Sequence, residues 1–137
     1  MEELPLCEFG FPGPLRDKLV AAVLAGEKTA GAGLLEEYRR EGTEVEEVGR
    51  RELVIDSDGK GVAIVEMTEV EIRRMGDVDV QFAIDEGEGF ESVADWYAAH
   101  VRFFTSAEMT AALGDPPVVI DDDTLVVCSR FRVVERL

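Results

Sequence analysis

The residues of this chain best suited to chemistry are one lysine and two closely spaced glutamates. Lys28 follows Gly26 and Glu27 and precedes Thr29 in the stretch LAGEKTAGAGLLEEY, Leu24 to Tyr38. The small residues Gly31-Ala32-Gly33 after it allow a ligand or another chain segment to approach the backbone closely. Glu86-Gly87-Glu88-Gly89 sets two carboxylates on a loop that can hold them near one another. Like charges at short range raise the pKa of one member, and such a pair can perform acid or base chemistry, although a solvated acidic loop has the same composition. Trp96 and His100 lie four residues apart and share one face of a helix. They form either an aromatic core patch with a satisfied imidazole or the wall of a pocket in which the imidazole orients Glu86 or Glu88.

Other signatures are excluded. The single histidine and the separated Cys7 and Cys128 cannot supply the ligand spacing of a zinc site or a CxxC redox pair, so no metal and no cofactor is expected, and the cysteines are read as structural thiols. Asp56-Ser57-Asp58-Gly59 opens like a calcium loop but lacks the later acidic ligands, and reads instead as a hairpin turn. Gly31-Ala32-Gly33 lacks the Lys-Ser/Thr that completes a phosphate-binding loop.

The 30 Asp and Glu against 14 Lys and Arg give a formal net charge of −16, which repels a polyanion at long range. Duplex DNA is therefore not expected as a partner. The excess acid is read mainly as a solvated surface. The N-terminus has neither a basic n-region nor a long apolar segment, and no apolar run approaches the roughly 20 residues of a membrane span, so no membrane association and a cytoplasmic location are expected. With 137 residues the chain is expected to form a single domain over 1–137.

The elements that must position these residues are legible from periodicity and punctuation. Pro14 suits a first helical position, and Leu15, Leu19 and Val23, with Val20 and Leu24 beside them, predict an amphipathic helix ending near Ala25 with Gly26 as its left-handed stop. A short helix is expected from Leu34 to Arg40, closed by Gly42. Leu53-Val54-Ile55 and Val62 to Ile72 flank an Asp-Gly turn and predict a hairpin. A short helix is expected around Val80 to Asp85, and Ser92 caps another that carries Val93, Trp96, Tyr97, His100, Val101 and Phe104 to about Thr105. The tail adds Val118-Val119-Ile120, an acidic turn at Asp121 to Asp123, and a β-rich run from Leu125 to Val134. Strands and helices do not alternate regularly, which favours an α+β fold over a doubly wound sheet.

Taken in order, Gly26-Glu27-Lys28-Thr29 after an amphipathic helix, Val48-Gly49 before a strand, Phe82-Ala83 leading to Glu86-Gly87-Glu88-Gly89, then Ser92, Trp96, His100 and Phe103-Phe104, resemble the ASCH-domain family over roughly Phe9 to Val134. The resemblance implies a small PUA-like β-barrel with helices packed around it and a cleft lined by the lysine segment. It also implies RNA binding and, in some small bacterial relatives, hydrolysis of acetylated cytidine or ribonuclease activity. In the amidohydrolase-like relatives a lysine matching Lys28, a glutamate matching Glu86 and a threonine three residues after the lysine act together; Gly31 occupies the threonine's position. Thr29 has the same strand parity as Gly31, so it could face the cleft, but roughly 6–7 Å from the lost hydroxyl. Phe90, Tyr97 and Ser129 also stand where the family often has Asp, Arg and Glu.

These observations lead to a cleft with Lys28, Glu86 and Thr29 as candidate catalytic groups, and Gly26, Gly31, Tyr38, Glu88, Trp96 and His100 as ligand-binding groups. The expected partner is a nucleoside-like small molecule or single-stranded RNA, bound without efficient hydrolysis. The alternatives are an amidohydrolase of acylated cytidine or a ribonuclease acting through Lys28 and Glu86, and a domain that only mediates protein contacts. For RNA, Tyr38, Phe90 and Trp96 are expected to stack bases, and Arg39, Arg40, Arg50, Arg51, Arg130 and Arg132 to form a basic patch.

Overall fold

In the computed structural model, which describes residues 4–137, helices and strands begin and end largely where local chemistry places them. The elements are β1 (Leu6–Cys7), α1 (Pro14–Leu24), β2 (Ala30–Leu34), α2 (Leu35–Glu41), β3 (Arg51–Ile55), β4 (Gly61–Arg74), α3 (Val80–Asp85), α4 (Val93–Phe104), α5 (Ala107–Leu113) and β5 (Leu125–Arg136). A 3-10 turn at Met75–Asp77 joins β4 to α3. Asp79, Ser92 and Ser106 cap α3, α4 and α5 by accepting from Phe82 N, Asp95 N and Met109 N, each satisfying an orphan donor of a first turn. Gly26, at φ +78°, lets the chain leave α1 in the left-handed conformation and turn toward β2.

The strands form one sheet in the order β1-β3-β4-β5-β2, antiparallel except for the β1–β3 pair. Bulges between Ile64 and Val65 and between Met67 and Glu69 interrupt the β4–β5 ladder, and bulges of this kind bend and twist a sheet. The fold is α+β as expected, but the sheet does not close into the expected barrel. Its edges, β1 and β2, do not pair with each other. The reason lies in the edges themselves: β1 is only two residues long, and residues near it and β2 face a common cleft.

Two apolar clusters build the core. Val20 and Val23 of α1 pack with Val54, Ala63, Val65, Met67 and Phe131 of the sheet. The other cluster joins Ala30 and Leu34 of β2 and Val126 and Cys128 of β5 to Phe82, Trp96, Phe104 and Met109. Side chains alternate across a strand, so Val127, Ser129 and Phe131 turn to the opposite side of β5 and line the cleft. In α1 the stripe differs from expectation at its start: Leu15 is exposed while Arg16 is buried, because its guanidinium donates to the carbonyls of Phe9 and Gly10. Residues 107–113, left without an element by the sequence pattern, form α5. No helix among the described residues is long and apolar enough to cross a membrane.

Candidate functional site

Lys28 reaches the floor of a cleft of about 700 Å³ that lies between the two sheet edges. The turn after α1 delivers it there. Glu27 N and Lys28 N both donate to Ala22 O, and Thr29 N donates to Asp85 O at 2.8 Å, which ties the entry to β2 to the end of α3. The Lys28 ammonium, 3 % exposed, donates to Ala30 O at 2.8 Å and Glu86 O at 3.2 Å. It lies 3.8 Å from Glu86 Oε1 and 3.8 Å from Glu88 Oε2, and 5.4 Å from the centre of the Phe9 ring. An ammonium has three N–H groups. Two are held by backbone carbonyls, and the third faces carboxylates that are too distant for a good hydrogen bond.

Glu86 is 1 % exposed, and its position is fixed from behind. Its Oε2 accepts from the Trp96 indole and lies 3.0 Å from His100 Nε2. His100 Nδ1 lies 2.8 Å from Trp96 O, and the imidazole stacks on the indole at 4.2 Å between centroids. A carbonyl only accepts, so Nδ1 carries a proton, while Nε2 faces the Glu86 oxygen that also accepts from the Trp96 indole. A carboxylate beside Nε2 favours the imidazolium form of His100. Burial pulls its pKa down, but the hydrogen bond and charge of Glu86, the Trp96 carbonyl and the charge of Glu88 outweigh it, and the net direction is up. Glu88 is also raised, chiefly by burial and further by Glu86, against the opposing pull of Lys28.

These shifts fix the sign of a pH dependence. The native state holds protons on His100 and Glu88 that the unfolded chain releases near pH values of about 6.5 and about 4.3 respectively. The His100 contribution is complete below about pH 6.5 and is lost as pH rises through its higher folded value, and the raised Glu88 adds a cost as it ionises; both slopes run downward. Urea midpoints are therefore expected to fall between about pH 6 and about pH 8.5, with His100→Gln flattening the decline. A midpoint rising with pH would contradict the imidazolium assignment.

Glu86, Glu88 and His100 bring one ligand-type atom each within 4.8 Å of one another. The ammonium at 3.8 Å from both carboxylates already supplies the cation of that cluster, and the His100 Nε2 proton is engaged by Glu86. A divalent ion would have to displace both.

Of the other residues singled out from sequence, Gly31 and Tyr38 line the cleft with Lys28, Glu86, Glu88 and His100. Gly26 and Thr29 do not. Thr29 is exposed and its Oγ1 donates to Asp85 O at 3.4 Å, because the segment before Ala30 is not yet a regular strand. Trp96 is fully buried behind Glu86, so it orients the carboxylate and cannot stack a base. The expected arginine patch is spent on acids: Arg39 and Arg40 pair with Glu36, Arg50 with Glu52, Arg51 and Arg132 with Glu66, and Arg130 with Asp85 and Glu69. Sequence reasoning missed Phe9, Glu46 and Glu52, which also line the cleft, and the place of Ser129, which pairs with Gly31 in register and carries a hydroxyl there. A glutamate in the otherwise apolar strand around Leu53-Val54-Ile55 was the available signal for Glu52.

The model of the ASCH domain matches residues 6–135. A crystal structure of an Enterococcus faecalis protein assigned to the DUF984 family is similar over 99 % of this chain and 79 % of its own, at 30 % identity and a TM-score of 0.85. The structure of an ASCH domain from Lactobacillus crispatus is 34 % identical over 87 % of this chain and 72 % of its own, with a TM-score of 0.73. A hypothetical protein at 16 % identity, with a TM-score of 0.52 over 88 % of this chain and 94 % of its own, shares the fold alone. No curated protein matches the chain.

Proposed function

Since the chain belongs to the ASCH-domain family, we propose that its cleft binds a nucleoside-like ligand or an unpaired RNA base without cleaving it efficiently. The observation that carries this reading is the Lys28 ammonium, immobilised by two carbonyls and left with one N–H facing the cleft beside Glu88. Donor and acceptor side by side suit the base edge of cytosine, whose ring N3 accepts and whose adjacent exocyclic amine donates. The cleft volume of about 700 Å³ falls within the range of about 300–1,000 Å³ usual for small-molecule sites. Paired arginines and the net charge of −16 favour a single nucleoside over a long polyanion.

Weak hydrolysis follows from the want of an activated hydroxyl: that of Ser129, in register with Gly31, makes no hydrogen bond to Lys28, Glu86 or Glu88 among the described residues. Gly31 has no side-chain nucleophile, and Thr29 Oγ1 is turned to Asp85. Hydrolysis is the second reading, favoured by Glu88, whose raised pKa beside Lys28 suits a general base acting on water.

The test is calorimetric titration with cytidine and acetylcytidine, together with an assay of released acetate. Wild type is expected to bind both and to release acetate slowly. Gly31→Thr is expected to raise release by about 100-fold or more, since a positioned nucleophile and base act as a unit. The backbone permits this change: Gly31 does not have a positive φ, and a Cβ there would meet only Phe9 Cε1, at 3.9 Å. Fast release by wild type would establish the second reading, and failure to bind either compound would remove the first.

A further inference from the structure

Resting on the nucleoside reading, we propose that the unpaired edge of β2 at Ala32 makes a further contact with the base, its backbone N–H donating to the ring carbonyl of cytosine beside the N3 that Lys28 reaches. In an antiparallel ladder, successive residues turn their two peptide groups alternately toward a neighbouring strand and away from it. Phe131 N donates to Thr29 O at 3.0 Å, in the same register that pairs Gly31 with Ser129 and Ala32 with Cys128. Gly31 and Gly33 therefore bond to β5, and Ala30, Ala32 and Leu34 turn their peptide groups outward. Because β2 is an edge strand, no strand meets them there. Lys28 obeys the same alternation, for its ammonium takes Ala30 O at 2.8 Å from the outer side.

The outer edge is occupied only as far as the cleft. The segment after α3 lies along the start of β2, where Thr29 N donates to Asp85 O at 2.8 Å and Lys28 bridges Ala30 O to Glu86 O. At Ala32 this cover ends. Ala32 is half-buried and lines the cleft, and among the described residues nothing bonds its outward N–H or C=O. Its methyl packs against the core cluster of Leu34 and Trp96, so its peptide groups are what it offers to the cleft.

Cytosine carries O2, N3 and the exocyclic amine in one row, as acceptor, acceptor and donor. The cleft answers with the Ala32 N–H, the third N–H of Lys28 and the Glu88 carboxylate, as donor, donor and acceptor. The two donors are set by successive outward positions of β2, since Ala30 O anchors the ammonium. Uracil, with a donor at N3 and an acceptor at O4, would meet Lys28 and Glu88 with the wrong group in both places. The Ala32 carbonyl beside the N–H also disfavours an anion at this point: a carboxylate or phosphate would bring a second acceptor against it, whereas a ring carbonyl brings one. A backbone donor fixed by the sheet orients the ligand without the ordering cost of a long side chain.

Hydrogen exchange of individual amides, read by NMR in wild type with and without cytidine, tests the contact. In the free protein the Ala32 amide is expected to exchange fast between the slow amides of Gly31 and Gly33, and saturation with cytidine is expected to slow it by about tenfold or more. Replacing Ala32 by lactate turns this one amide into an ester and removes the N–H; cytidine is then expected to bind about two- to tenfold more weakly, the value of one neutral hydrogen bond. The exchange measurement in wild type stands whether or not the ester folds, and a melting curve checks the ester. An Ala32 amide already slow in the free protein, a rate unchanged at saturation, or full affinity in the folded ester overturns the contact and leaves the nucleoside reading intact. Calorimetry that detects no binding of cytidine to wild type overturns both.

Discussion

Lys28→Met is expected to destabilise the protein by about 3–5 kcal/mol at neutral pH and to abolish ligand binding in the cleft. That range is typical when one partner of a buried ion pair is removed, because the remaining charge stays buried without compensation. Here methionine fills much of the volume of the lysine stem, so packing is nearly kept while the charge is lost. Removing the ammonium strips donors from Ala30 O and Glu86 O and leaves Glu86 and Glu88 facing each other without the cation 3.8 Å from both. Of the influences on Glu88, Lys28 is the strongest that lowers its pKa, so in the variant burial and Glu86 push it higher still. The carboxyl then ionises at a higher pH in the folded than in the unfolded chain, where its pKa is about 4.3. The deficit should consequently be greatest at neutral and alkaline pH and shrink as pH falls toward about 4. Urea denaturation at several pH values reads the stability, and titration with cytidine reads the binding. Wild-type midpoints and wild-type affinity in the variant would show that the lysine is neither the electrostatic centre of the cleft nor its ligand-binding donor.

Gly87→Ala is expected to damage the same centre without touching any charged group. Gly87 has φ +70°, and a Cβ built on it would lie 2.4 Å from Glu27 O, 2.6 Å from Glu27 C and 2.6 Å from Lys28 Cα. These are backbone atoms, which cannot swing aside as a flexible side chain does. The loop after α3 must therefore retreat from the segment carrying Lys28, lengthening the contacts of the ammonium with Glu86 and Glu88. Overpacking costs about 1–3 kcal/mol, and holding alanine in the left-handed region adds about 1–2 kcal/mol. Gly26→Ala is the control, because Gly26 has φ +78° with nothing within 4 Å of a Cβ, so it carries the conformational cost alone. Gly87→Ala should lose more stability than Gly26→Ala and should also lose cytidine affinity by about tenfold or more, since ångström-scale misplacement of binding groups is costly. Equal effects of the two substitutions on stability and binding would mean that the close approach of the two segments does not matter.

The sequence by itself determined the local elements and the kinds of residue available to the site. Pro14 and Gly26 bound α1, the Asp-Gly turn separates β3 from β4, and Ser92 starts α4, because capping, turn geometry and side-chain periodicity act over a few residues. The ordered motifs around Lys28, Phe82, Glu86 and Trp96 were likewise sufficient to identify the family. Helix α5 was less legible because its apolar residues, Met109 and Leu113, are few, and the Ser106 cap takes its meaning from the packing of that helix into the core.

Tertiary structure decided everything that depends on residues distant along the chain. Lys28 and Glu86 are 58 positions apart, and their contact exists because Gly87 permits one backbone to approach another. Strand parity alone left Thr29 free to face the cleft, but the bond from its amide to Asp85 O sets the chain's direction before β2 begins and turns the hydroxyl away. The arginines looked like a patch because charge is visible in sequence and pairing is not; their carboxylate partners include residues tens of positions away, such as Glu66 for Arg132 and Asp85 for Arg130. The expected closure of the sheet into a barrel failed for the same reason. Whether two edges pair depends on their length and on the bend accumulated through the bulges of β4 and β5, and those long-range geometric quantities left a cleft between β1 and β2.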